Sequence, residues 1–273
     1  MGLYITSLNS GSNGNCYYIG NDNEAVLIDA GISCRETEKR MKRLGLSLTK
    51  VKAIFVSHEH GDHISGLPVL AKKYALPVYI TSTTLSHCNL ALEPALIYSF
   101  DAEKPVTIGK LYVSAFSKYH DARDPHSFVV SCDDVRVGIF TDLGVVCKSL
   151  VKHFKQCHAA FLEANYDEKM LEEGSYPIHL KNRIRGGSGH LSNSQALQLV
   201  MNYKPAFMTH LLLSHLSKNN NDPLLVQELF SKVAGTTEVV IASRYAETPL
   251  LHIGSPVTRN KSFEVNNLQL SLF

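Results

Sequence analysis

Residues 51–63, VKAIFVSHEHGDH, carry two signals end to end. An apolar, β-branched run reads as a buried strand through Ser57. Directly after it, His58, Glu59, His60, Asp62 and His63 crowd into six positions. In a loop that leaves a strand end, residues two apart can converge on one point. His58 and His60 therefore suit one ion, and Asp62 and His63 point to a second. Imidazole and carboxylate favour Zn²⁺, Fe or Mn²⁺. Four ligands cannot close two sites, so the rest of the chain must supply donors where other strands give way to loops.

Three positions answer that demand. His120 follows the strand LYVSAF, Asp142 follows VRVGIFT, and His215 follows AFMTHLLLS. A carboxylate between two ions is a natural bridge, and Asp142 in FTDLG suits that place. One histidine at a strand end is more often a hydrogen-bonded or exposed ring than a ligand; the crowded loop reverses that weighting. His87, His126, His153, His158, His179, His210 and His252 keep the ordinary reading, with His210 the nearest competitor to His215 but placed inside the apolar strand. A structural zinc site is closed by four ligands, whereas seven donors here point to two open ions.

Working outward, LYITSL, NCYYIG and EAVLID read as strands, the last two joined by the turn Asn21-Asp22-Asn23. SCRETEKRMKRLG starts with a capping box, Ser33 with Glu36, and stops at Gly45. ISGLPVLAKKYA reads as a helix with Leu67, Leu70, Ala71 and Tyr74 on one face. PVYITS, KLYVSAF, HSFVVSC, VRVGIFT, HAAFLEAN, PAFMTHLLLSH and TEVVIAS continue the strands, and helices are expected over 145–155, 167–173, 192–202 and 222–234. Strands outnumber helices and come in runs, which favours two sheets packed face to face with helices outside.

At 273 residues and 44% hydrophobic composition the chain can bury a sizeable core, and a formal charge of +2 means that nucleic acid would need a local basic groove. Six scattered cysteines without a CxxC pair suggest reduced thiols. MGLYITSLNS lacks a signal-peptide pattern, and no apolar stretch reaches spanning length, so a cytoplasmic protein with no membrane partner is expected. Residues 1–253 read as one hydrolase domain and 254–273 as a polar tail with an apolar tip.

These residues resemble the metallo-β-lactamase-fold superfamily, whose HxHxDH signature stands here as HEHGDH, with its later motifs matching His120, Asp142 and His215. The resemblance implies an α/β chain folded as an αββα four-layer sandwich with two divalent metal ions, Zn, Mn or Fe, at the sheet edges. By that pattern His58, His60 and His120 hold one ion, Asp62, His63 and His215 hold the other, and Asp142 bridges them. LIDAG resembles the family's first motif, in which Asp29 supports the ligand loop. SGSNGN, HEHGDH, YHDARDP, TDLG, LEANYDEKML, YPIHLKNRI and GHLSN together look like the YycJ/WalJ-type branch, regarded as bacterial 5′→3′ exonucleases on duplex DNA. LEANYD departs from the branch at Tyr166, where His is usual.

The implied function is a dinuclear phosphodiesterase of DNA repair or replication that uses a metal-bridging hydroxide, with Asp62 serving both coordination and catalysis. His190 resembles a histidine that related nucleases place near the leaving group, where it would act as general acid. Glu163 and Asn165 either orient ligands or cap the following helix. Ser12, Asn13 and Asn15, in a Gly/Ser/Asn-rich loop, are candidates for phosphate contact, as are Lys181, Arg183, Arg185 and Lys218 for the DNA backbone. QLSLF at the end resembles the pentapeptide that docks on the bacterial sliding clamp, with Gln269, Leu270, Leu272 and Phe273 as anchors. Two rival readings are a hydrolase of small esters, thioesters or lactones with the same fold, and a non-enzymatic regulatory protein with a structural metal.

Overall fold

The computed structural model describes residues 2–254. Six strands follow one another across the first sheet: β1 (Leu3–Asn9), β2 (Cys16–Gly20), β3 (Ala25–Ile28), β4 (Val51–Phe55), β5 (Val78–Tyr79) and β6 (Ile97–Tyr98). The second sheet runs from one edge to the other as β7 (Val106–Ile108), β8 (Leu111–Ser117), β9 (His126–Cys132), β10 (Val135–Phe140), β11 (Ala159–Glu163), β12 (His210–Ser214) and β13 (Glu238–Ile241). The chain then returns to the first sheet, where β14 (Leu251–Ile253) pairs antiparallel with β1. Each sheet is antiparallel in one part and parallel in the other: β3 to β6 and β10 to β13 run parallel.

Strands such as AVLI and AAFLE are buried along their whole length because both of their faces are covered. Val26, Ile28 and Phe55 point between the sheets and meet Phe128, Val137 and Phe161. Leu27 and Ile54, on the opposite face, pack with Met41, Leu67 and Leu70. These come from helices α1 (Cys34–Arg43) and α3 (Leu67–Tyr74). On the outside of the second sheet, Leu162 and Leu213 pack with Leu150, Leu199 and Phe230. The helices here are α5 (Lys148–Phe154), α8 (Asn193–Tyr203) and α9 (Pro223–Ala234). The layers are therefore αββα, as the resemblance implied. Full burial of one such side chain contributes about 1.5–3 kcal/mol over leaving it exposed.

Several element boundaries differ from the sequence expectation, each for a local reason. The helix expected over 64–75 splits into α2 (Gly61–Ile64) and α3. At the break Gly66 donates its N–H to Ala30 O, and a Cβ there would strike Ile32 O. Ser33 caps α1 by accepting from Glu36 N, but Glu36 turns to the buried Arg40 instead of closing the capping box. The strand expected from Pro205 begins only at His210, since Met208 N closes a turn on Pro205 O. The basic stretch LKNRIR lies in a helix, α7 (Ile178–Arg185), preceded by α6 (Glu168–Glu173). A helix α4 (Ser82–His87) was not foreseen either. No described helix is long and apolar enough to cross a membrane. The tail anchors Gln269, Leu270, Leu272 and Phe273 lie outside the described residues.

Candidate metal centre

Strands β3, β4, β8, β10, β11 and β12 run in one direction toward a shared rim, where ligands collect in sheets of this kind. Past β4 comes Ser57-His58, past β8 His120, past β10 Asp142, and past β12 His215. His63 sits on the short helix α2 and Asp62 beside it. Four donor groups result, each with ligand atoms within 4.8 Å of one another: His58 with His60 and His120, Asp62 with His63 and His215, His58 with His63 and Asp142, and Asp142 with Glu163, His190 and His215. All seven residues expected to bind metal thus meet at one mouth. His210, at the opposite end of β12, lies about 16 Å away along the strand by its rise per residue.

The histidines are aimed by their rear nitrogens. Asp29 accepts from Ser57 N (2.8 Å) and Ser57 Oγ (2.8 Å), and lies 2.7 Å from His63 Nδ1. His120 Nδ1 lies 3.0 Å from Gly189 O, and His215 Nδ1 3.1 Å from Glu163 Oε1. A ring that donates from Nδ1 to an oxygen presents Nε2 forward as an acceptor, the arrangement that metal-ligating histidines adopt. Asp29, expected to support the ligand loop, does so through these bonds.

Glu163 is the largest such brace. Its Oε2 accepts from Leu143 N (2.7 Å) and Leu191 N (3.2 Å), and its Oε1 lies 2.8 Å from His190 Nδ1 as well as against His215. Asn165 Nδ2 donates to His215 O at 2.7 Å. The open choice for Glu163 and Asn165 resolves toward orienting the histidines, because Asp167 caps α6 instead. Glu59 holds the neighbouring loop by accepting from Arg123 N.

Electrostatics at the mouth call for cations. Asp29, Asp142 and Glu163 are buried and Asp62 half-buried, against one buried lysine, Lys118, which donates to Thr141 O. Burial resists ionisation of Asp142, yet His215 and His63 hold its carboxyl well below the usual range. Burial also opposes charge on His215, but Asp142, Asp62 and Glu163 outweigh it and push the ring up to about 10. His120 lacks comparable support, and burial lowers it to about 4. Three buried donor atoms, His120 Nε2, Asp142 Oδ2 and His215 Nε2, have no hydrogen-bond partner. Orphaned acceptors beside repelling carboxylates are what divalent cations would satisfy, so the residues present fit a metal centre.

A cavity of about 350 Å³ opens over this cluster, lined by Ser12, Arg183 and His190 among others. His190, 20% exposed at its side chain, is the one histidine of the group reaching solvent while tied to Glu163. The remaining expected contacts divide. Arg183 pairs with Asp121 at the mouth. Asn13 is exposed and donates to Arg244 O. Asn15 is fully buried and gives its amide to Asp62 Oδ2 at 3.1 Å, so it braces a carboxylate and cannot meet a phosphate. Lys181 is 9% exposed with Nζ bound to Glu172 O, which removes it as a DNA contact. Arg185 pairs with Glu172, away from the mouth. Lys218 lines an adjacent cavity. Lys118 was missed, and its only sequence signal is a lysine two residues before a ligand.

Residues 10–171 match the metallo-β-lactamase superfamily. The exodeoxyribonuclease YycJ of Bacillus anthracis is 36% identical over 238 residues, covering 85% of this chain and 89% of that protein. The exodeoxyribonuclease WalJ of Streptococcus pneumoniae is 30% identical over 226 residues, covering 81% and 84%. Among solved structures, the metallo-β-lactamase-fold protein YhfI from Bacillus subtilis shares the fold, with a TM-score of 0.71 at 17% identity over 92% of this chain and 99% of that one. The chain therefore belongs to the metallo-β-lactamase superfamily, as a metal-dependent hydrolase related to the YycJ/WalJ exodeoxyribonucleases.

Proposed function

We propose that the centre holds two divalent ions, Zn, Mn or Fe, and that the protein is a phosphodiesterase degrading duplex DNA 5′→3′ in repair or replication. His58, His60 and His120 hold one ion, Asp62, His63 and His215 the other, and Asp142 faces both. The observation that carries the reading is the trio of buried, unpartnered donor atoms on His120, Asp142 and His215 beneath an open cavity. The two exodeoxyribonuclease relatives, each matched over most of its length, support DNA as the substrate. When bound, such ions activate a water for attack on phosphorus and neutralise charge on the phosphoryl oxygens.

The chain's own groups do the rest. Asn15 and the backbone of its loop fix Asp62, whose main-chain oxygen accepts from Asn15 N at 2.7 Å. Glu163 accepts from His190 Nδ1 and so favours the doubly protonated ring, which gives its Nε2 proton to the departing 3′-oxygen and is left as the neutral Nδ1–H imidazole. Arg183 and the exposed Ser12 and Asn13 flank the approach of a backbone phosphate. The tail QLSLF, through Gln269, Leu270, Leu272 and Phe273, docks on the bacterial sliding clamp; the sequence resemblance is its support.

Metal-defined protein acting on duplex DNA labelled at either end, with 5′-phosphate or 5′-hydroxyl termini, tests the reading. Progressive shortening from the 5′ end is expected, lost in Asp62→Ala and Asp142→Ala. Turnover of a thioester or lactone panel with DNA left intact would overturn it.

A further inference from the structure

Beside the metal centre, sharing its wall, lies a second cavity of about 380 Å³. Ser10, which lines it, accepts from His215 N at 2.8 Å, and the residues that follow His215 form one side. Its floor is apolar: Leu216, Pro223 and Ile241. At its rim stand Lys218, exposed, and Tyr245, 71% exposed. Arg244, which also lines it, reaches Leu216 O at 2.9 Å. Neither Lys218 nor Arg244 has an ion-pair partner among the described residues.

The wall is held in place before anything binds. Asn13 Nδ2 donates to Arg244 O, Arg40 Nη2 donates to Tyr245 O, and Ser10 N donates to Ser243 O. The volume falls in the range of small-molecule sites, roughly 300–1,000 Å³. An apolar slot, an exposed phenol ring and two cations without carboxylate partners among the described residues match a flat, aromatic ligand that carries an anion. An acyl chain would leave the cations unused, and a free phosphate would leave the floor unused.

Building on the nuclease reading, we infer that this cavity is a nucleotide subsite. It takes one deoxynucleotide unit of the strand being degraded, the base against Leu216, Ile241 and the Tyr245 ring, the phosphate against Lys218 and Arg244. Stacking on an aromatic ring tolerates any base, so the subsite grips the strand without reading its sequence.

Calorimetric titration of the metal-free protein with deoxyadenosine 5′-monophosphate, deoxyadenosine and inorganic phosphate tests this. The monophosphate is expected to bind more tightly than either part. Tyr245→Ala should weaken monophosphate and nucleoside alike by about tenfold, the loss of one base–aromatic stack. Lys218→Ala should weaken the monophosphate and leave the nucleoside unchanged. On DNA both variants should raise KM, while hydrolysis of bis(p-nitrophenyl) phosphate stays at the wild-type rate. Monophosphate binding that neither variant alters, or nucleoside binding unchanged in Tyr245→Ala, would overturn the subsite. DNA degraded normally by both variants sinks the subsite alone; intact DNA with metal-loaded wild type, and nucleotide binding that still depends on Tyr245, sinks the nuclease reading alone.

Discussion

Asp29, Asp142 and His215 share a left-handed backbone, with φ of 61°, 55° and 57°, each just past a strand end. Such positions cost about 1–3 kcal/mol apiece for residues other than glycine and persist only where surroundings over-determine them. Here the left-handed turn aims a carboxylate or an imidazole back across the rim. Asp29→Asn keeps the turn but loses the charge behind His63; metal affinity should fall about 10–100-fold, read by competition with a chromophoric chelator. His190→Ala should lower the rate on DNA by about 10²–10⁴ with metal content unchanged. A p-nitrophenyl nucleotide ester, whose leaving group needs no proton, should be cleaved nearly as fast as by wild type; equal losses on both substrates would remove His190 as the acid. His215 also sets a pH signature. Its pKa is raised from 6.5 to about 10, so its contribution to the stability of metal-stripped protein is complete below pH 6.5 and disappears as pH rises toward 10. Glu163 is lowered from 4.5 to about 2, and its contribution disappears as pH falls through that window. Thermal melts of metal-stripped protein should therefore drop above pH 7, and a flat profile to pH 10 would contradict the assignment.

At the scale of elements, the apolar strands were legible because both faces of β3 and β11 are covered along their length, and those of β4 and β10 beyond the exposed Lys52 and Arg136, which writes the core as apolar runs. Strand β5 was read from PVYITS, although only Val78 and Tyr79 form it; β6, also two residues long, left no periodicity to detect. Helix α7 was not foreseen, because its charges mask a short apolar face and its entry is Pro177 with no side-chain cap. Helix α8 is the contrary case: Ser192 accepts from Gln195 N, and Gln195 returns a bond to Ser192 N. Gln195 thus completes the reciprocal cap that Glu36 abandoned for Arg40. Because Ser192 stands two residues after His190, this cap also holds the general acid's loop. Ser192→Ala should cost about 1 kcal/mol, visible as a melting temperature lower by about 2–4 °C. A larger fall in activity than in stability would mark displacement of His190.

For the whole molecule, the two mixed sheets bring their parallel parts to one rim, and the site exists only where both sheets meet. Asn15 of the first sheet reaches Asp62, while Ser10 from the same loop holds His215 of the second. Removing residues 269–273 should leave DNA hydrolysis unchanged and abolish binding to an immobilised sliding clamp, measured by surface plasmon resonance; undiminished binding would discard the tail as the anchor. The sequence by itself determined two face-to-face sheets with helices outside, through its apolar runs, and seven candidate ligands, four from one dense loop and three from strand ends, because these are short-range signals. Only the tertiary structure decided that Asn15 and Lys181 turn inward, that Glu163 braces two histidines, and that Lys218 and Tyr245 share a cavity. Those outcomes depend on which side chains, up to 52 residues apart, become neighbours when the chain folds, and no local pattern encodes that pairing.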